Sequence, residues 1–492
     1  MDPSITLLLP EILLDIAAYL TCKDHVCCLR VCKAWHRSFL PIIWKDVRVR
    51  TIGSIHHPYP VAMKRHCQYV VHLSMGYSRL LNYAVVFPEL QKLSVHVDFA
   101  RQEVPESDLK KMVLRNPSLA QLQFNGRDSS LGASFWSTLM MVPGLRSLSL
   151  TDGCLRGNEA ILAFWELCAK LTSLHLVGTQ FRQENHHWLA TCSAPRQIRV
   201  LKLERIKGLT GVEQLALLSQ CPHLQELDWH LNIRDMNVVF QLFAEKVASG
   251  QWPDLERIEC PSKDGLSGPI LGQMQDDDAA RILKSLRHLT VLSLALSKFG
   301  LVAFQALRRH FGTLRELVVR SCPSVTSVML VEILCSCPQL ELLEGDVLRA
   351  SDAVESAQWN CLALKALVVH FAFEDIEQDL QRLVFERLSK LTRLEKLHVG
   401  TNRDPRESYP NGLDFRLSSG LGALAKLKWI TRISFVGTWQ QMGVKDVQWM
   451  ISTWKHLTVY GTLNQDPATC SALKDIVIHK EGATITEDRR KA

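Results

Sequence analysis

The sequence lacks the motifs that mark many enzymes and metal proteins. It contains no Cys-x-x-Cys pair, no Gly-x-Ser-x-Gly, no Gly-x-x-x-x-Gly-Lys-Ser/Thr and no Gly-x-Gly-x-x-Gly. These absences argue against a RING finger, a serine-hydrolase elbow, a phosphate-binding loop and a dinucleotide-binding turn. We therefore expect no catalytic residue, no cofactor and no metal site, and we interpret the chain as a non-enzyme.

Long apolar runs and a strong charge of one sign are also missing. The early apolar run from Ile5 to Leu20 is interrupted by Glu11 and Asp15 and has no Lys or Arg before it, so it predicts neither a signal peptide nor a membrane span. The 57 basic and 50 acidic residues leave a formal charge of +7. Because nucleic-acid binders usually carry a denser basic stripe, we expect neither a nucleic-acid nor a membrane partner.

Cysteine is present, but not in a pattern that indicates disulfides. The fifteen cysteines are scattered, odd in number and mixed into apolar segments. This usage is typical of buried reduced thiols and predicts a protein of the cytoplasm, the nucleus or both. A zinc-like group occurs near the N-terminus, but its spacing favours packing over metal binding: Cys22, His25, Cys27, Cys28, Cys32 and His36.

The first 48 residues have the pattern of short amphipathic helices. Pro10 fits the first turn of a helix, and apolar residues then recur at helical spacing as far as Leu20. Asp24 is the predicted N-cap of a second helix, whose apolar face includes Trp35. Such short helices are too few to bury their own apolar faces, so a partner or the rest of the chain must cover part of them.

Beyond about residue 65 the chain repeats a Leu-x-x-Leu-x-Leu unit followed by a helical stretch. Most steps between copies are roughly 24 to 31 residues, which is the leucine-rich-repeat period. The copies begin at Val70, Leu90, Leu119, Leu145, Leu171, Ile198, Leu224, Leu255, Leu289, Leu314, Leu340, Leu364, Leu394, Ile430, Leu457 and Leu473. We predict an α/β solenoid with parallel strands on the concave face and helices on the convex face.

The N-terminal motif resembles an F-box. The residues that carry the resemblance are Leu9-Pro10-Glu11-Ile12, Ile16, Leu20, Asp24, Leu29 to Trp35 and Ile43-Trp44. The order of the two parts, an F-box-like motif followed by repeats, resembles that of proteins in the F-box and leucine-rich-repeat family. The resemblance implies an F-box over residues 1–48, a connector over 49–68, a solenoid over 69–480 and a polar tail over 481–492.

The family resemblance also implies partners and a function. The module would bind a Skp-type adaptor and, through it, a cullin and a RING subunit, making the chain the substrate-recognition subunit of an SCF-type ubiquitin ligase for an unknown protein substrate. The implied adaptor-binding residues are Leu9, Pro10, Ile12, Ile16, Leu20, Leu29, Val31 and Trp35. Two alternatives stay open: a scaffold that binds the adaptor without directing ubiquitination, and a repeat interaction protein whose N-terminal helices only cap the first repeat.

The strand residues between the repeated leucines predict a binding face for the substrate. Acidic charge gathers in the middle of this face, where Lys202 and Arg257 are interspersed. This set either contacts a basic segment of the substrate or is a solvated, internally paired surface: Glu204, Glu226, Asp228, His230 and Glu259. Two longer connections, Ser262 to Gln275 and Thr401 to Phe415, are either partner-binding loops or tolerated insertions.

Overall fold

A computed structural model of the chain shows two compact units, Met1–Leu224 and Gln225–Ala492. It describes residues 10–49, 59–76, 85–96, 106–126, 131–182, 195–231, 236–260, 274–374, 378–400, 412–438, 440–478 and 484–486. In these ranges no helix is both long and apolar enough to cross a membrane.

The first unit opens with three short helices and continues as alternating strands and helices. The N-terminal helices are α1 (Pro10–Ala18), α2 (Cys22–Cys28) and α3 (Lys33–Lys45). The strands are parallel and pair in chain order: Asp46–Val49, His72–Gly76, Lys92–His96, Gln121–Asn125, Ser147–Thr151, Ser173–Val177 and Val200–Glu204. Cys154–Arg156 pairs with Gln180–Arg182. The later helices are Tyr59–His66, Glu106–Leu114, Ala133–Met140, Asn158–Cys168 and Gly211–Ser219, and Cys67–Tyr69 is a 3-10 turn.

The second unit repeats the same alternation. Its parallel strands, in chain order, are Glu226–His230, Arg257–Glu259, Val291–Ser293, Glu316–Val318, Leu342–Arg349, Ala366–Ala372, Lys396–His398, Arg432–Ser434, Thr458–Tyr460 and Thr484–Thr486. Its helices are Met236–Ala248, Asp276–Ser285, Leu301–Leu307, Ser327–Ser336, Ala350–Glu355, Gln378–Leu388, Val444–Thr453 and Pro467–Ile478. The 3-10 turns are Arg308–His310, Leu417–Ser419 and Leu421–Lys426.

The repeated leucines form the core because successive strands pair almost without interruption of register. The exception is the pair Leu342–Arg349 and Ala366–Ala372, which shifts between Glu344 and Val347. In Ser147–Thr151 the burial alternates, so that Leu148 and Leu150 point inward while the three residues between and beside them reach solvent. The pairing aligns Leu148 with Leu122 on one side and with Leu174 on the other, and all three are fully buried. The predicted leucine-rich-repeat fold is therefore confirmed, with strands and helices alternating along each unit.

Helix ends are completed by side chains of the following repeat. The Lys170 ammonium donates hydrogen bonds to the carbonyls of Leu139, Met140 and Val142, at 2.9, 2.9 and 2.7 Å, where the helix Ala133–Met140 ends. Arg387 does the same for the carbonyls at the end of Ala350–Glu355. Because the last carbonyls of a helix have no partner within it, these two helices depend on a residue of the next repeat to satisfy their carbonyls.

An acidic side chain caps the N-terminal end of a helix in the next repeat. The acidic run of Asp276 to Asp278 begins the helix Asp276–Ser285. The Asp276 carboxylate accepts hydrogen bonds from the backbone N–H groups of Gly300, Val302 and Ala303 at 2.8 to 3.0 Å, where the next helix starts. Asp276 is therefore a helix cap between repeats.

Two local predictions need correction. Asp24 is not the N-cap of α2; Thr21 is, and Asp24 completes a capping box from the third position. The last predicted strand, from Leu473 to Ile478, is helical, because Asp466 caps a helix that starts at Pro467 and Leu-x-x-Leu spacing also fits a helix face.

The ends of the sheet lie outside the predicted solenoid limits. The sheet already begins at Asp46–Val49, and Thr484–Thr486 adds a strand inside the stretch predicted as a tail. Of the long connections, residues 261–273 and 401–411 lie outside the described residues, as do the pairs His56-His57 and His186-His187.

Three histidines of the second unit have a lowered pKa, and His310 and His370 are buried while His398 is half-buried. His310 is almost fully buried, and its Nε2 lies 2.9 Å from the carbonyl of Leu283. Burial lowers the pKa of His310 and of His370. Burial, followed by the charge of Arg320, lowers the pKa of His398 to about 4. Burial favours the neutral form of a histidine in the folded protein. The free energy of unfolding therefore depends on pH in the range where histidine titrates, which lies above that of carboxylates.

We expect Lys170→Met to lower the free energy of unfolding by about 1.5–3 kcal/mol, because three helix-end carbonyls lose a charged donor. Equilibrium urea denaturation measures this change. Lys170→Arg keeps a positive donor and is the matched control, with an expected loss much smaller than that of the methionine variant. Equal losses for the two variants would contradict the role of the donor.

We expect acidification from pH 7 to pH 5 to destabilise the protein. The pKa of His398 is lowered by folding, so its contribution is complete above the unfolded value near 6.5 and is lost as the pH falls toward about 4. The loss for this one group is on the order of 1–2 kcal/mol at pH 5. Urea denaturation at both pH values should show a smaller pH dependence for His398→Gln than for wild type; an unchanged pH dependence would contradict the assignment.

Candidate functional site

The three N-terminal helices have a small core of their own. Leu13, Ala17, Cys28 and Phe39 are buried in it, one or two from each helix. Phe39 stacks on Trp35 with ring centroids 5.5 Å apart. Because α1 and α2 both contact α3 through this core, the fold fixes which of their faces remain outside.

Hydrogen bonds fix the turns between these helices. The Thr21 hydroxyl donates to the Asp24 carboxylate at 2.6 Å, and the Thr21 N–H donates to it at 2.9 Å. The hydrogen bonds from Thr21 lower the pKa of Asp24. The His25 Nε2 lies 2.9 Å from the carbonyl oxygen of Ala17, and this contact ties α2 to the end of α1. The turn between the two helices is thus held at both ends.

Apolar side chains remain exposed around this core. The N-terminal apolar surface consists of five of them, whose exposed fractions are 43% for Ile12, 52% for Leu14, 90% for Tyr19, 42% for Val26 and 38% for Val31. They flank the buried stripe of α1, lie on α2 and occupy the turn before α3. Since the core is already filled by other residues, these side chains are available to a partner.

The cysteines and histidines of this region have other contacts. His25 and His36 contact backbone carbonyls through their ring nitrogens. Cys28 is in the core, where burial raises the pKa of its thiol, and the Cys32 sulfur accepts the N–H of Trp35 at the start of α3. Among the described residues, no group of three or more His, Cys, Asp and Glu side chains is arranged to hold a metal ion.

The predicted acidic face falls into two parts. Glu204 lies in the first unit, where Lys202 and Arg205 are within 3.6 Å of its carboxylate oxygens. Glu226, Asp228 and His230 lie on one strand of the second unit, with Glu226 exposed and the other two half-buried. The His230 Nε2 lies 2.6 Å from the Asp228 Oδ1. The register places Glu259 beside Asp228.

Arg257 lies within this acidic face and pairs with it. Its guanidinium donates to the Glu259 carboxylate at 2.6 Å and lies 3.8 Å from Glu316. Burial alone would lower the pKa of Arg257, but its hydrogen bond with Glu259 and the nearby carboxylates of Glu316 and Glu226 raise it. The face is therefore a network of paired charges and not a surface of one sign.

Comparison with known proteins gives the N-terminal helices a family. Residues 9–50 match the F-box-like family. The N-terminal segment is an F-box-like domain. The chain is also similar to a putative F-box/LRR-repeat protein of Arabidopsis thaliana, with 29% identity over 202 residues. That match covers 40% of this chain and 59% of the relative, so it spans less than two thirds of the length of the relative.

Two solved structures resemble the chain in outline. One is the complex of Rad7 and Elc1 from yeast, with 13% identity and a TM-score of 0.44, covering 82% of this chain and 90% of that chain. The other is the complex of TLR13 with ssRNA13, with 15% identity and a TM-score of 0.35, covering 86% of this chain and 62% of that chain.

The predicted adaptor-binding residues occupy different places in the F-box-like domain. Ile12 and Val31 belong to the N-terminal apolar surface. Four others are only partly buried and pack against the core: Ile16, Leu20, Leu29 and Trp35. Leu9 and the side chain of Pro10 lie outside the described residues, although Pro10 begins α1.

The sequence prediction omitted three residues of this apolar surface: Leu14, Tyr19 and Val26. A signal for Tyr19 exists, since it follows Ile12 by seven residues and helical spacing puts both on one side. Leu14 and Val26 have no comparable signal, because an apolar residue in a short helix looks the same whether it faces in or out.

Proposed function

We propose that the chain is an adaptor-binding substrate receptor of an SCF-type cullin-RING ubiquitin ligase. The observation that carries this proposal is the N-terminal apolar surface of the F-box-like domain. Five apolar side chains are exposed within twenty residues of the chain, and a partner that covered them would remove this apolar surface from water. A Skp-type adaptor would cover it, and the repeats would hold a protein substrate.

The arrangement of the domain supports this assignment. Its core is closed by Leu13, Ala17, Cys28 and Phe39, so the exposed side chains are not needed to fill it. Interfaces of this type take most of their affinity from a few buried apolar or aromatic anchors. Tyr19, almost fully exposed next to the end of α1, offers a large ring with a polar tip and suits such an anchor.

The repeats supply the proposed substrate surface. The network around Arg257, together with Glu226, Asp228 and His230, presents fixed donors and acceptors in neighbouring strands. Since its charges are already paired, it would select a substrate by the geometry of polar contacts more than by net charge. We further propose a location in the cytoplasm, the nucleus or both, in keeping with described cysteines that are all free.

We expect Ile12→Asp combined with Val31→Asp to weaken binding of a Skp-type adaptor by at least about a hundredfold, because two apolar contacts become buried charges. The measurement is calorimetry with purified adaptor. Val61→Asp combined with Val212→Asp changes two apolar side chains elsewhere in the first unit that are also exposed, and it should leave affinity unchanged. The proposal fails if wild type does not bind, or if the first pair binds as well while circular dichroism shows it folded.

Co-purification from cells tests the ligase role separately. We expect the wild-type chain to bring down the adaptor together with a cullin and a RING subunit, and the Ile12→Asp/Val31→Asp variant to lose all three, because the cullin is reached through the adaptor. Quantitative mass spectrometry of the purified material measures this. Recovery of the adaptor without a cullin would instead indicate the scaffold alternative.

A further inference from the structure

A polar pocket lies on the solvent-facing side of the first four strands of the sheet. Its volume is about 240 Å³, and its walls come from Asp46–Val49, His72–Gly76, Lys92–His96 and Gln121–Asn125. The strand register explains how distant residues meet there: Asp46, His72 and Lys92 form one row, while Arg48, Ser74 and Ser94 form the next. The first of these strands lies at the end of the F-box-like segment, residues 9–50, and the other three follow it in the chain. The pocket includes no residue of the predicted acidic face.

The charges around the pocket do not balance. Arg48 and Lys92 are permanent cations, His72 and His96 are imidazoles, and Asp46 is the single carboxylate in the lining. With neutral histidines, the lining has one uncompensated positive charge. Among the described residues, Lys92 has no ion-pair partner within 4 Å. A monoanion entering the pocket would therefore restore neutrality.

The one internal ion pair of the pocket is weak. The Arg48 guanidinium donates to the two oxygens of Asp46 at 3.4 Å each, and both side chains are largely exposed. Long, solvent-screened pairs of this kind contribute little to stability. The contact nevertheless shows that a carboxylate fits beside Arg48, and that an incoming carboxylate would compete with Asp46 for it.

The remaining walls offer hydrogen-bond donors. The Ser94 hydroxyl donates to the side-chain carbonyl of Gln123 at 2.8 Å, which leaves the Gln123 amide NH₂ as a donor for another group. The Ser74 hydroxyl lies 3.2 Å from the His96 Nε2, so these two side chains orient each other. Cations and neutral donors thus line one small space, which is the environment that recognises an oxyanion.

We propose that this pocket binds the side-chain carboxylate of an aspartate or glutamate in an acidic segment of a partner protein. Arg48 would take the carboxylate through its planar guanidinium, and Lys92 would supply the compensating charge from the adjacent row. Identifying this partner as the captured substrate rests on the proposed function. The binding of a carboxylate in the pocket does not, because it does not require the adaptor.

The test uses the full chain and a library of random peptides displayed on phage. Peptides selected on wild type are counter-screened against Arg48→Gln with Lys92→Gln. The matched control, Arg115→Gln with Arg199→Gln, removes two exposed arginines of the same unit that do not line the pocket. Adaptor affinity is measured in parallel, so that failure of the pocket and failure of the adaptor interaction can be told apart.

We expect the peptides lost on the pocket variant, and kept on the control, to share an acidic residue. Changing that residue to Gln should weaken binding to wild type about tenfold and have little effect on binding to the pocket variant, as in a double-mutant cycle. Asp46→Asn should tighten binding by about threefold, because it removes the competing carboxylate and raises the net positive charge.

Three results would overturn the proposal. The first is that selected peptides bind the pocket variant as well as wild type. The second is that the acid-to-Gln change costs the same in both proteins, which would place the acidic residue elsewhere. The third is that phosphoserine at the acidic position binds more than about tenfold tighter than glutamate, which would make the pocket a phosphate site.

Discussion

In-register stacking of parallel strands is the constraint on which the rest of this molecule depends. The carbonyl of Gln91 accepts the N–H groups of both Ala120 and Gln121, and the carbonyls of Ala120 and Arg146 repeat this pattern one and two strands later. Because the pairing of these strands does not slip, leucines meet leucines inside, and polar side chains line up outside. Both the hydrophobic core and the rows that form the pocket follow from the same register.

Much of the fold could be predicted from the sequence. Alternate residues of each strand are buried, so leucines recur at every second position of a strand, and this spacing can be seen in the sequence. The copy beginning at Leu145 became the strand Ser147–Thr151. The pattern misled at Leu473, where the same apolar spacing satisfied a helix and the cap at Asp466 decided the outcome. Asp24 was misread for a related reason: a capping box contains two polar residues, and the sequence does not say which one stands outside the helix.

The candidate sites were harder to predict than the fold. An F-box resemblance identifies apolar positions, but three helices must spend some of them on their own core, as Ile16, Leu20 and Trp35 show. Only packing tells these apart from the exposed Ile12 and Tyr19. The pocket needs still more, since residues from four strands and almost eighty positions of sequence meet only through the register.

The capping of a helix C-terminus by a later repeat has a consequence for the order in which the chain can fold. The helix Ala133–Met140 leaves the carbonyls of Leu139, Met140 and Val142 to be satisfied by Lys170, which is made later. During synthesis, which runs from the N-terminus, this helix thus emerges before the residue that completes its C-terminal end. Until that residue is present, only water can satisfy these carbonyls. The helix α2, by contrast, takes its cap from Thr21 and Asp24 within the same short domain.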